Sequence, residues 1–248
     1  MEILLFGATG LVGKHCLELL LLNSQVTQVT LPTRRPIPQP EDPSVLPKFN
    51  PVIVSDFTHP DAAKAVRPSP GPTHHPTRGM QPPRAAILCL GTTLRRAGSP
   101  QAFHDQDFGA VVGAARIAHA LGAPRLVLVS SVGADAKSSN LYLRTKGEVE
   151  QAVAKLGFGS VEIFRPSLLL GEREESRPAE AFAQKLAPLS APLMIGPLAK
   201  YRPVEARELA QALIHTALAP EPRSGNVAAA PVIVVEGREI KKRARSGD

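Results

Sequence analysis

Tryptophan is missing from the 248-residue chain and aromatic residues make up only 4% of it, so any core must be built from aliphatic side chains. Cysteine is almost missing as well. Cys16 and Cys89 stand alone, in no CxxC or other metal-like spacing, which argues against a disulfide framework or a metal site and leaves two buried thiols as the expectation. No apolar run approaches the roughly 18 residues of a membrane span, and the chain opens directly into a strand-like run at 2–6 without a signal-peptide layout. A cytoplasmic location is therefore expected. Hydrophobic residues at 43% and charged residues at 21% are ordinary for a globular protein. The net charge of +7 and pI near 9.7 favour anionic partners without choosing among nucleic acid, anionic lipid and phosphorylated small molecules.

What is present alternates. Apolar strand-like runs at 3–6, 26–31, 52–54, 85–90, 126–129 and 161–164 are separated by helical patterns at 11–22, 61–66, 101–121 and 141–156, with one more at 205–218. Gly122 and Gly157 follow two of these helices as C-caps do. Such βα alternation predicts an α/β fold, a single doubly wound Rossmann-type domain over 1–248 with a mostly parallel sheet and helices on both faces. More than half of the 25 prolines crowd into 32–83, in two stretches without period at about 36–51 and 67–83 that read as surface loops. His74 and His75 fall in the second and lack the fixed geometry of a metal site. The basic end of the chain, at about 238–248, reads as a frayed, solvated tail.

Directly after the first strand comes Gly7-Ala8-Thr9-Gly10-Leu11-Val12-Gly13, opening the first helix. Unpaired N–H groups at a helix start form an anion site once glycines let a pyrophosphate approach them. The spacing is GxxGxxG, and the strand before and helix after supply the context that a glycine triplet alone lacks. A P-loop fails, because Ala8 and His15 stand where that motif needs a Gly and a hydroxyl. About 20 residues past the turn an acid would select NAD(H) through the ribose 2′-OH and an arginine would accept a 2′-phosphate. Arg34 and Arg35 hold that place, with no acid between Glu18 and Glu41, so NADP(H) is the expected cofactor. Asp56 and Phe57, past the third strand, are candidates to bound the adenine.

Further on, Ser130-Ser131 closes the fifth strand run, and Tyr142 and Lys146 are spaced to share one helical face. A phenol is a weak acid–base catalyst at neutral pH, but a neighbouring ammonium and a cationic nicotinamide ring both favour the phenolate. Ser131, at a strand's C-terminal edge, is placed to bond a substrate carbonyl while Tyr142 delivers the proton.

These pieces together resemble an atypical short-chain dehydrogenase/reductase, and most closely the Tat-interacting oxidoreductase-like NAD(P)H-binding family. The likeness runs through Cys89-Leu90-Gly91-Thr92-Thr93, Ser130-Ser131, Ser138-Ser139-Asn140, Lys146-Gly147-Glu148, Phe164-Arg165-Pro166 and Glu175-Ser176-Arg177-Pro178. The resemblance implies that Thr9, Arg34, Arg35, Leu90, Gly91, Thr92, Tyr142, Lys146, Leu169 and Arg177 line the NADP(H) site, with Tyr142 the active-site residue. The backbone of Gly10, Leu11, Val12 and Gly13 completes it. Classical members of the wider superfamily carry an Asn in the fourth helix, and none occurs from Gln106 to Arg116. The expected function is hydride transfer to or from a small carbonyl or alcohol by a Ser131–Tyr142–Lys146 group, with no metal, membrane or nucleic-acid partner. The alternative is an NADP(H)-sensing protein that selects a protein partner without robust catalysis. A nucleotide-sugar epimerase would need a larger substrate domain than the chain after Lys146 provides.

Overall fold

The computed structural model describes residues 1–66, 82–92, 97–171, 201–220 and 231–245. Its strands are β1 (Glu2–Phe6), β2 (Gln28–Thr33), β3 (Phe49–Ile53), β4 (Ala85–Leu88), β5 (Arg125–Val129), β6 (Ser160–Arg165), the short pair β7 (Leu169–Leu170) and β8 (Val204–Glu205), and β9 (Val232–Glu236). The helices are α1 (Leu11–Leu22), α2 (Ala62–Val66), α3 (Pro100–His104), α4 (Ala110–Ala120), α5 (Leu141–Ala154), α6 (Ala206–Leu218) and α7 (Arg238–Arg245). Seven strands form one sheet in the order β3-β2-β1-β4-β5-β6-β9, every described neighbour pair parallel. The chain runs outward from β1 in one direction, then restarts at β4 on its other side, so the C-terminal ends of β1 and β4 flank the switch point where open α/β sheets bind ligands.

Alternation along each strand divides the aliphatic core in two. Ile3, Leu5, Ile87, Val127 and Phe164 turn to the face covered by α1, α6 and α7, whereas Leu4, Phe6, Leu88, Leu126 and Ile163 turn to the face covered by α2, α4 and α5. Strands buried on both faces read as unbroken apolar runs, which is why the central ones are plain in the sequence. Gly122 and Gly157, at φ +82° and +87°, sit just past α4 and α5 as expected.

Two segments differ from the expectation. The helical pattern at 101–121 is two α-helices joined by a π-helical turn, Asp105–Gly109. The proline-rich stretch at 36–51 holds a 3-10 helix, Pro43–Lys48, and the start of β3, an edge strand that tolerates Pro51. Most of the stretch at 67–83, with His74 and His75, lies outside the described residues.

The basic tail requires a correction. Through Arg245 it is a docked helix, not a frayed end: α7 buries Ile240 and Ala244 against α6, and Arg243 pairs with Glu162 on β6. Ile240 and Ala244 are four apart and share a helical face, a pattern hidden by the surrounding Lys and Arg. Because Ile240 is fully buried, Ile240→Ala should cost about 2–5 kcal/mol in urea unfolding. An unchanged midpoint would return the segment to a solvated tail.

Candidate cofactor and active site

The glycine turn lies at the end of β1, and its packing leaves no room for a side chain at Gly7 or Gly13. A Cβ on Gly7, which holds φ +83°, would stand 2.7 Å from the Cys89 carbonyl carbon, and one on Gly13 would stand 2.0 Å from Gly7 O. Thus β1, α1 and the chain leaving β4 meet backbone to backbone. Gly10 is the N-cap of α1 and offers no side-chain cap, so the first N–H groups of the helix, from Leu11, Val12 and Gly13, are left for another acceptor. Thr9 is exposed beside them. Behind the turn, Cys16 and Cys89 are free thiols with sulfurs 4.0 Å apart; contact with Cys89 and burial push the Cys16 thiol up. Cys89 is only half-buried, in contrast to the fully buried pair expected.

Arg34 and Arg35 follow β2 directly and are exposed, and neither guanidinium is paired with a described carboxylate. A turn in which Thr33 Oγ1 donates to Arg35 O at 2.8 Å fixes their backbone. Past β3, Asp56 is exposed and accepts from Thr58 N–H and Oγ1, which hold its carboxyl below the usual carboxylate range. The ring of Phe57 is buried edge-on against Phe6, centroids 5.6 Å apart, so its side chain serves the core. Leu169, in β7, packs half-buried near the start of α1, where a Cβ on Gly171 would lie 3.0 Å from Leu11 Cδ1. Arg177 lies outside the described residues.

At the ends of β4 and β5 the structure assembles a tighter group. Asn140 caps α5 by accepting from Leu143 N–H at 3.1 Å, which starts the helix with Tyr142 in its first turn. Tyr142 is 40% exposed, packs against Phe103, and lies with its ring centroid 5.8 Å from Lys146 Nζ. Lys146 itself is buried, and its Nζ lies 3.5 Å from where a Gly91 Cβ would be. It faces a residue that the sequence reading missed. Asp107, in the π-helical turn, has a fully buried side chain whose Oδ2 lies 2.8 Å from Lys146 Nζ, while its Oδ1 accepts from Thr92 N–H at 2.8 Å. The Lys146 contact is a close ion pair rather than an aligned hydrogen bond. No periodic signal sets Asp107 apart in the sequence, because it ends a polar run, His104-Asp105-Gln106-Asp107.

The serines divide. Ser130 is buried and donates to Glu150 Oε1 at 2.5 Å, and Arg165 grips the same carboxylate with Nε and Nη2, which strengthens the protonated guanidinium. Arg165 also reaches Glu236 on β9 at 3.2 Å, so it is a structural tie. Ser131 is half-buried, and among the described residues its hydroxyl makes only a long 3.4 Å contact to Val132 O. Glu150, Lys146 and Tyr142 recur at four-residue spacing, so one face of α5 carries the tie, the ammonium and the phenol.

No family model matches the chain. Among curated proteins it is 38% identical over 186 residues to the mitochondrial protein fmp52 of Emericella nidulans, covering 75% of this chain and 74% of that one. It is 36% identical over 184 residues to HTATIP2 of Rattus norvegicus, covering 74% and 69%. Among solved structures, MoeE5 in complex with UDP-glucose and NAD matches with TM-score 0.62 at 15% identity over 97% of this chain and 79% of that one. The human epimerase family protein SDR39U1 with NADPH matches at 0.54 and 15%, over 96% and 74%. At such identities the likeness is one of fold. Sheet order, glycine turn and strand-end group define an atypical short-chain dehydrogenase/reductase-like protein with an NAD(P)-binding Rossmann fold. Within that class, the chain belongs to the family of FMP52 and HTATIP2. The expected cytoplasmic location is overturned by the fungal relatives, which are named as mitochondrial. The hydropathy and opening strand of a domain carry no information about the compartment it occupies.

Removing Lys146 should expose how much the site depends on the ion pair. Lys146→Met leaves the Asp107 carboxylate buried without a cation, and denaturant unfolding should show a loss of about 3–5 kcal/mol. Adding Asp107→Asn to that variant should recover a good part of it. A second loss of equal size would show that the two side chains are independent.

Proposed function

We propose that the chain is an NADP(H)-dependent oxidoreductase acting on a small carbonyl or alcohol. The observation that carries this reading is continuity: Gly7 abuts Cys89, and the next residues, Leu90 to Thr92, lead straight to Lys146, Asp107 and Tyr142. A cofactor laid across the switch point would therefore run from Arg34 and Arg35 past the first turn of α1 to the phenol. The residues fit it. Gly7 and Gly13 let the backbones of the turn close together, the first N–H groups of α1 have no side-chain cap, and just after β2 come two guanidinium groups with no carboxylate partner among the described residues, which this reading assigns to the 2′-phosphate. Solved structures with NAD or NADPH among the fold neighbours support a nicotinamide cofactor.

In this reading the α1 N–H groups hold the pyrophosphate, Arg34 and Arg35 grip the 2′-phosphate, and Lys146 donates to the nicotinamide ribose hydroxyls. When bound, the nicotinamide supplies hydride exchange with the substrate carbon. Ser131 Oγ orients the substrate oxygen, and the phenolic oxygen of Tyr142 gives or takes its proton. Exposure of Tyr142 leaves a way in for the substrate.

Replacing both Arg34 and Arg35 by Ala should weaken NADPH by about ten- to a hundredfold, from lost charge-assisted hydrogen bonds, and change NADH by less than about threefold. Equal weakening, read by calorimetry, would sink the 2′-phosphate assignment. Tyr142→Phe should leave NADPH affinity within about twofold and reduce turnover on a carbonyl panel by about a hundredfold or more. A parent protein that binds NADPH yet turns over nothing would favour the sensing role over catalysis.

A further inference from the structure

Asp107 sits within the walls of the proposed site yet touches neither the glycine turn nor Tyr142 in any hydrogen bond; its two oxygens are committed elsewhere. Oδ1 takes the N–H of Thr92, at the end of the chain segment leaving β4, and Oδ2 holds Lys146 Nζ, which comes from α5. One carboxylate thus ties two separate walls of the site together. Its side chain is fully buried and that of Lys146 is 6% exposed, so water does little to screen the pair, and a buried carboxylate is retained at considerable cost unless both oxygens are used. The π-helical turn aids this placement, since the extra residue in the turn breaks the register between α3 and α4 around Asp107.

We infer that Asp107 is a positioning residue that sets the Lys146 ammonium beneath Gly91, in place for the nicotinamide ribose, and that its effect on the cofactor passes through Lys146. The inference rests on the NADP(H) reading above. It differs from general structural support in a specific way. Support for the fold would act on the whole cofactor, whereas a bracket on Lys146 acts on the nicotinamide half alone. Adenosine 2′,5′-bisphosphate carries the adenine and the 2′-phosphate but has no nicotinamide ribose, so it reports on the other half.

The test uses four full-length proteins: the parent, Asp107→Asn, Lys146→Met and the double variant, each titrated with NADPH and with adenosine 2′,5′-bisphosphate. Asn preserves an acceptor for Thr92 N–H and removes the charge. Asp107→Asn should weaken NADPH by roughly tenfold, the scale of one misplaced charge-assisted hydrogen bond, and leave the bisphosphate within about twofold. In the Lys146→Met background the same substitution should produce no further loss of NADPH. Equal loss of both ligands, no loss of either, or a renewed tenfold loss without Lys146 would each overturn the inference. If Asp107→Asn alone fails to fold, the comparison of Lys146→Met with the double variant decides it, by the same criterion. A parent that binds neither ligand would instead bring down the NADP(H) reading, and this inference with it.

Discussion

The close approach of three backbones at the switch point is the constraint from which the site follows. Gly7 must turn at positive φ against the Cys89 carbonyl, and Gly13 must lie against Gly7 O, or α1 cannot start where it does. A Cβ at either position would meet backbone, which has no rotamer to yield. Because β1 and β4 are adjacent and parallel, this contact also fixes where the chain leaves β4. The segment Leu90 to Thr92 is then held at one height above the sheet, and Thr92 offers its N–H to Asp107 there.

From that point, charge rather than sterics carries the order outward. Asp107 draws Lys146 inward, and the same helical face of α5 anchors Glu150 to Ser130 and Arg165. Both ties are buried carboxylate contacts whose loss would leave a charge without a partner, so each opposes rotation of α5 about its own axis. Tyr142, four residues before Lys146, lies one turn from the inner tie and stays exposed. The helix is thus pinned along its length while its first turn is open to a ligand.

The sequence made the central fold legible because doubly buried strands are apolar without interruption and because glycine is the residue that a strand-to-helix phosphate turn requires. Helix α1 matches its expected bounds, and Tyr142 and Lys146 share a face as their spacing required. Edges were harder to see. Strand β3 includes Asn50 and Pro51, because an edge strand lacks a neighbour on one side and need not be apolar throughout, whereas β9 was not singled out although Val232 to Val235 is an unbroken apolar run. Helix α7 was concealed by charge, since only two of its eight residues are buried. The Asp107 link escaped for a different reason. A π-helical turn shifts the helical register, so the periodicity that identifies helix faces cannot say which way a residue within it turns. Nor can any one-dimensional pattern report that Thr92, Asp107 and Lys146 meet.

The positive charge of the chain illustrates the same limit. A net charge of +7 attracts anions in general, but much of the basic character of α7 is already directed to Glu162, Glu208 and Glu239, and Lys146 is committed to Asp107. Arg125 and Arg165 are likewise engaged in the fold, by backbone carbonyls and by Glu150. What matters for an anionic ligand is the charge left facing the site, and there Arg34 and Arg35 stand close after β2, on the side of the sheet order next to the glycine turn. Two guanidinium groups and an uncapped helix start lie after neighbouring strands, and the neutralised Lys146–Asp107 pair adds no net charge beyond them. On the NADP(H) reading proposed above, the positive end of the switch point is the one that meets the phosphates, and the neutral Lys146–Asp107 end is the one left to the nicotinamide.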